Sequence, residues 1–374
     1  MIALILAFFC FAPVSAGAES LSDGIRQVVD SLDLSTLSEY ADDMQLLSAR
    51  SSLADTVRAI ASGEITLSFD AVLELLSGGF MAAVKQSFWR VTRLIVPIML
   101  TGFSAHLSEG TTRMAKSACC LSVCVFLAQD LSEHALLCRD SVTRMADVMQ
   151  GLFPILLTLM TAVGTAGSSA LMQPAVVASA GLVTGLISRV TLPLAIASAM
   201  LMMLTRLGTG IRLRHLASLA QQASAWTLGV CFTVFIAVLM TRGMTAAAID
   251  GVTIRTAKYA INRFIPVVGG LFADTVDTLV GSSLMVQSAL GVTGMLLLSG
   301  YALGPMLRTL AVTLIYRLTA ALLQPVGDQD ITECIHDFGG ILMLFFIVQL
   351  CVGAMFLLLI AQLVAVSSST VMLR

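Results

Sequence analysis

The 374 residues are 57% hydrophobic and only 12% charged, with a mean hydropathy of +0.93. A water-soluble domain carries about 25% charged residues to keep its surface solvated, so this composition excludes an ordinary soluble fold and calls for lipid as the solvent. The net charge of −2 conceals two unlike parts: residues 19–70 hold ten acidic side chains against three basic ones, a balance of −7 that leaves +5 for the remainder.

Residues 1–18 read as an export signal peptide. The apolar run Ile2 to Phe11 is too short to span a bilayer, and Pro13 leads into small residues at Val14-Ser15-Ala16 and Ala16-Gly17-Ala18 that suit signal-peptidase cleavage. No Lys or Arg precedes the run, so a short uncleaved anchor is the alternative. Residues 19–85 follow as an acidic extracytoplasmic segment. Capping-type starts at Ser35 to Glu39 and before Asp70, with Leu32, Leu34, Leu37, Leu46, Leu47 and Leu53 as a small core, predict two or three short helices. After Ser77-Gly78-Gly79, the residues Lys85, Trp89, Arg90 and Arg93 mark an amphipathic approach to the membrane.

Residues 86–374 form the multi-span membrane domain. Apolar stretches lie near 91–107, 115–131, 148–166, 170–188, 190–205, 226–242, 285–304, 307–326 and 340–366. They predict about seven to nine spans, the lower figure if some are re-entrant. The expected fold is therefore all-α, a polytopic helical integral membrane protein with a small helical exported N-terminal segment. Loop charges suggest an orientation. With 19–85 outside, the basic residues Arg113, Lys116, Arg206, Arg212, Arg214, His215 and Arg308 fall inside, and the C-terminal Arg374 is cytoplasmic. Asp130, Glu133, Asp140, Asp147, Asp328, Asp330, Glu333 and Asp337 fall outside. The loop 242–282 resists this scheme, lying outside yet carrying Arg242, Arg255, Lys258 and Arg263.

Chemistry-bearing patterns are few. The sequence has no phosphate-binding GxxxxGK[ST], no HExxH and no GxSxG. His106, His134, His215 and His336 are scattered without ligand spacing. Cys119, Cys120, Cys124, Cys231 and Cys351 sit in apolar stretches, where cysteine behaves as a small hydrophobe. Cys138 and Cys334 fall in polar segments, and there is no CxxC. The reading is no enzyme, no cofactor, no metal or redox site, and no nucleic-acid partner; the lipid bilayer is the expected environment.

The most informative stretch is a hairpin at about 250–281. Arg255, Lys258 and Asn262 recur at helical spacing, with Arg263 beside them, and give a basic face. Pro266, Gly269 and Gly270 then break the chain, and Asp274, Asp277 and Gly281 give an acidic face. One reading is an interfacial amphipathic hairpin lying on the membrane. The other is a re-entrant hairpin lining a water-filled path. In the span 307–326, Thr309, Thr313, Arg317 and Gln324 share a face, and Arg317 sits near its middle. A charge at that depth costs at least ~2.5 kcal/mol, so Arg317 is expected to face protein or water, or to pair with Asp274 or Asp277. The spacings Gly181-x-x-x-Gly185 and Gly300-x-x-x-Gly304 permit close helix packing.

The same hairpin carries a likeness to known proteins. Phe232 to Leu284, with the elements D-G-V-T-I-R-T-A-K and F-I-P-V-V-G, resembles the stage III sporulation protein AE family of endospore-forming bacteria. A-A-L-L-Q-P within Tyr316 to Asp328 and the L-P-L-A-I-A-S-A-M-L region are similar to it as well, and the likeness extends more weakly from about Phe88 to the C-terminus. The resemblance implies an operon-encoded subunit made in the mother cell, lying in the membrane around the engulfed forespore. It implies partners too: other products of the operon, among them a secretion-type ATPase and a ring-forming subunit, and a forespore protein met across the intermembrane space. The implied role is that of a permease-like channel or scaffold subunit without catalysis of its own, needed for late forespore development. A self-sufficient secondary transporter of small solutes is the alternative. Such a transporter should show paired interrupted spans related by an internal repeat, and only one Pro/Gly-interrupted hairpin, at 265–270, is found.

Overall fold

The computed structural model describes the backbone of residues 77–88, 109–162, 166–206, 213–264, 269–325 and 328–372, with positions 92 and 96; across 242–280 it describes the backbone alone, with side chains again from Gly281 onward. All regular structure among the described residues is helical. A short helix α1 covers 77–88. After it come α2 (Glu109–Ala162), α3 (Ala166–Leu186), a π-helical turn (Ile187–Thr191), α4 (Leu192–Arg206), α5 (Arg214–Phe264), α6 (Gly269–Leu323) and α7 (Gln329–Met372).

Among the described residues, five helical segments are long and apolar enough to cross a membrane: Ser117–Ala162, Val176–Thr205, Arg214–Thr241, Gly281–Leu323 and Gln329–Val366. Eight of the nine apolar stretches fold into these five, because three pairs run on as single helices. The ninth, 91–107, lies outside the described residues apart from positions 92 and 96, as does the acidic segment 19–76.

Each fusion has a local cause. Between 131 and 148 the charges suggested a loop, yet Leu131, Ala135, Cys138, Val142, Met145, Val148 and Leu152 are all buried at three- and four-residue steps. Glu133, Arg139, Asp140 and Arg144 occupy the exposed positions between them. That is one amphipathic helix of period 3.6. Around Arg189, the Leu192 N–H donates to the Ile187 carbonyl five residues back. Pro193, next in sequence, has no N–H to offer and so could not complete an ordinary α-helical turn there. The chain widens into a π turn instead of ending. Pro305 lies inside α6, and its carbonyl accepts the Thr309 hydroxyl at 3.0 Å. Neighbouring helices and hydroxyls let proline persist inside apolar helices.

At ~1.5 Å rise per residue, the 54 residues of α2 extend about 80 Å and the 55 of α6 slightly more. Both exceed the ~30 Å of a hydrocarbon core. The helices pack with a consistent polarity. Glu133 and Asp130 of α2 meet Arg308 and Tyr316 of α6, and Gly294 of α6 faces Leu152 of α2, so α2 and α6 are antiparallel. Arg317 and Gly291 of α6 lie against Gly339 and Val364 of α7, also antiparallel. Cys138 of α2 against Phe345 of α7, and Gln221 of α5 beside Gly340 of α7, make α2, α5 and α7 parallel.

This polarity places the start of α2, the α4–α5 connection and the α6–α7 connection at one end of the molecule. The α2–α3 and α5–α6 connections and the end of α7 lie at the other. Two expectations from loop charge do not fit. Arg308 and Glu133, assigned to opposite faces, form an ion pair of 2.7 Å. Arg206 at the end of α4 and Arg214 at the start of α5 lie at the same end as the acidic start of α7, and the C-terminal end of α7 is opposite both. The cause is the fusion of spans: each pair merged into one helix removes a crossing and inverts the side of every later segment.

The core lies between α2, α6 and α7. Its largest fully buried side chains include Tyr316, Phe338, Phe345, Phe356, Leu127, Met145 and Leu152. Glycine permits the closest approaches: a Cβ on Gly294 would collide with Leu152, and one on Gly291 with Val364. Charge divides this core lengthwise. Residues 148–162, 281–304 and 346–366 contain no Asp, Glu, Lys or Arg, and they stack at the same end of the bundle. Toward the other end α2, α6 and α7 carry Asp130 to Asp147, Arg308, Arg317 and Asp328 to Asp337. A charge-free layer thus continues into a charge-bearing three-helix extension.

Candidate functional site

Where layer and extension meet, polar groups from three helices converge. On α2, His134, Cys138 and Ser141 are buried, at steps of four and three that put them on one helical face. On α7, Gln349 is fully buried beside the Cys138 thiol, while that thiol donates to the Phe345 carbonyl at 3.8 Å. On α6, Thr309 and Thr313 are buried, each hydroxyl donating to the carbonyl four residues earlier, at 3.0 and 2.8 Å. Toward the charged end, the buried Tyr316 hydroxyl donates to the Asp130 carboxylate. The Tyr316 ring meets Phe338 edge-on, with centroids 5.1 Å apart and planes at 78°. Arg308 donates to Glu133 at 2.7 Å on the outer side of the same contact.

Three contacts between helices, Cys138 to Phe345, Tyr316 to Asp130 and Arg308 to Glu133, fix α2, α6 and α7 in one register. A slip of one helix by a turn would part these groups together, and a polar group buried without a partner costs a few kcal/mol. Among the described residues there is no group of His, Cys, Asp or Glu able to hold a metal ion. Buried Gln287, Ser282, Ser283 and Thr293 extend the polar interior into the charge-free layer on α6, facing protein as polar groups at that depth should.

The residues singled out in the sequence fall elsewhere. Arg255, Lys258 and Arg263 lie on the last turns of α5, and Asp274 and Asp277 on the first turns of α6, which opens at Gly269 and Gly270. Their side chains, and Pro266, are outside the described residues. Arg317 is exposed on α6. Its stem packs over Gly339 of α7, where an added Cβ would sit 3.0 Å from Arg317 Cγ. Gln324 is exposed just beyond the end of α6. Neither belongs to the buried junction. That junction went unseen in the sequence because its contacts join residues 186 and 175 positions apart; the legible signal was the period of 131–152.

Between α2 and α3 a groove of about 430 Å³ is lined by Gln150, Phe153, Pro154, Gln173, Val177 and Gly181, among others. It opens at the level of the charge-free layer.

The described residues are all helical in their regular structure and include five apolar helices of membrane-crossing length, the make-up of a polytopic membrane protein. The family model for stage III sporulation protein AE matches residues 51–367, and the chain belongs to that family. It is similar to the stage III sporulation protein AE of Bacillus subtilis (strain 168), with 30% identity over 235 residues. The aligned part covers 63% of this chain and 59% of the relative, so the chain matches less than two thirds of the relative's length. No solved structure matches this chain.

Proposed function

We propose that the protein is a membrane channel or scaffold subunit of a trans-envelope sporulation complex linking mother cell and forespore. The observation that carries this reading is the family match across 51–367, most of a chain whose five apolar helices suit a bilayer. Membership in a sporulation family, which is not a known enzyme family, does not favour the solute transporter or a catalytic role. The partners are the other products of the operon, including a secretion-type ATPase and a ring-forming subunit, and a forespore protein across the intermembrane space. Residues 19–85 face that space, and the 206–225 region faces the mother-cell cytoplasm.

Affinity purification of the tagged full-length protein from sporulating cells tests the reading. The other operon products should copurify; recovery of the protein alone would sink it. Within the complex, Arg255, Lys258, Asp274 and Asp277 work as one electrostatic unit held by the Pro266–Gly270 turn. An isolated charge near lipid costs several kcal/mol and a paired one far less. Asp277→Lys should therefore impair sporulation at normal protein level, and adding Lys258→Glu should restore part of it. Two harmless single reversals would remove the unit.

A further inference from the structure

One basic side chain stands alone on an apolar surface. Arg189 is the only ionisable residue from Val148 to Thr205, and it lies near the middle of the apolar segment Val176–Thr205. At ~1.5 Å rise per residue, about 20 Å of helix separates it from either end, more than a snorkelling side chain can bridge. Val176, Ala180, Val183 and Ile187 are buried at three- and four-residue steps. That inward face points Arg189 the opposite way, and it is exposed. Its guanidinium makes no hydrogen bond or ion pair with a described residue. The π turn fastens it there: the Thr191 carbonyl accepts the Ser224 hydroxyl of α5 at 2.9 Å, and turns of this kind often mark functional positions.

The surface beside Arg189 suits close approach by another helix. Gly181 and Gly185 precede it at four-residue steps on the same outward face, and a Cβ added to either would meet nothing within 4 Å. The groove between α2 and α3, with Gln150 and Gln173 in its lining, leads up to Gly181. Small residues and side-chain amides bring helices together in a membrane, whereas lipid chains have use for neither. A guanidinium facing hydrocarbon is strongly penalised, and a carboxylate opposite it removes most of that penalty. We infer that the Gly181–Gly185–Arg189 stripe seats a membrane-spanning helix of a different protein, with an Asp or Glu of that helix against Arg189. A second copy of this chain fits less well, because two-fold pairing across Gly185 would bring two Arg189 side chains together. Such a seat requires only that the chain spans a bilayer, whatever complex it joins.

The test uses full-length Arg189→Lys in native membranes treated with dicyclohexylcarbodiimide. This apolar reagent activates a carboxyl group; a neighbouring amine then forms an amide with it, and the reagent leaves as dicyclohexylurea. The variant keeps the charge at an exposed position, so it should accumulate as the wild type does. Trypsin cannot cut at an amide-linked lysine, so the joined product carries residues 145–206 of this chain. Its other half should be an apolar segment of another membrane protein, linked through Asp or Glu. The wild type, whose guanidinium does not couple, should give no such product. Adding Gly185→Val, which has room within this fold, should cut the yield about tenfold by overfilling the seat. A joined peptide from this same chain would overturn the inference in favour of self-assembly or an internal pair. No product from Arg189→Lys would overturn it as well, placing Arg189 against lipid phosphate or water. An undiminished yield with Gly185→Val would refute the glycine stripe as the seat.

Discussion

The core helices α6 and α7 and the outer helix α5 differ in burial out of step with their apolarity. In α6 and α7, 61% of the most apolar window is buried inside the molecule, against 22% in α5, although that window of α5 is more apolar than the one in α6. Trp226, Val230 and Val234 of α5 stand at 75%, 56% and 55% exposure. In water such a surface would be an aggregation liability. In lipid it is the solvated face, and what drives helices together is packing, small residues and polar contacts rather than apolarity. Apolarity alone therefore does not decide which helix is covered: α7 has the most apolar window of the five and is 61% buried, while α5, next in apolarity, is 22% buried.

Truncation should separate the two regions most sharply. Phe345→Ala removes a fully buried ring from the core and should destabilise by about 3–5 kcal/mol. Val234→Ala on the outer face of α5 should stay within about 0.5 kcal/mol. Denaturation of detergent-purified variants measures both. Equal losses would mean that α5 is covered in the protein as purified. Glycine gives a second, smaller contrast. Gly294→Val would drive a side chain into Leu152 and should cost about 1–3 kcal/mol by overpacking. Gly229 has nothing within 4 Å of an added Cβ, so Gly229→Val should be tolerated to within about 0.5 kcal/mol. A tolerated Gly294→Val would show that α2 and α6 stand further apart than the Gly294–Leu152 contact requires.

The same contrast explains what was legible in the sequence. Composition disclosed the helical membrane class, because apolar helices are the simplest way to satisfy backbone groups in lipid. α5 ends at Phe264 and α6 opens at Gly269, on either side of the Pro266 that the sequence singled out by a local signal. Within 115–166 the sequence counts two stretches where the structure has one helix, α2. Asp130, Glu133, Arg139 and Arg144 looked like a loop, but they are the outer face of a helix whose inner face keeps its period through Leu131, Cys138, Met145 and Leu152. Hydropathy averaged over a window cannot separate a polar loop from a half-polar helix; periodicity can. The Tyr316–Asp130 contact had no such signal, since it needs the polarity of the helices to be known first.

Tyr316→Phe removes the hydrogen bond to the Asp130 carboxylate while leaving the ring on Phe338. A bond from a buried hydroxyl to a charged acceptor is worth about 1.5–3 kcal/mol, and because Asp130 is only partly buried, the loss should fall at the lower end. A wild-type melting curve for Tyr316→Phe would show that water serves Asp130 equally well.

The smallest expected effect locates the boundary between layer and extension. Arg308 and Glu133 pair at 2.7 Å with 35% and 45% of their side chains exposed. If this level projects into water, solvent screens the pair and its coupling should be about 0.2–1 kcal/mol, falling as salt is added. If the same level lies in hydrocarbon, removing one partner strands a charge at a cost of several kcal/mol, while removing both is far less damaging. A double-mutant cycle of Arg308→Ala and Glu133→Ala separates these cases, because it isolates the coupling from what each truncation does alone. Measured in lipid nanodiscs at low and high salt, the coupling should be below about 1 kcal/mol and salt-sensitive, since both heads keep contact with solvent. A large coupling that ignores salt would move the boundary. The charge-bearing part of α2, α6 and α7 would then belong to the membrane, and its acids and bases would be intramembrane groups paired to survive there.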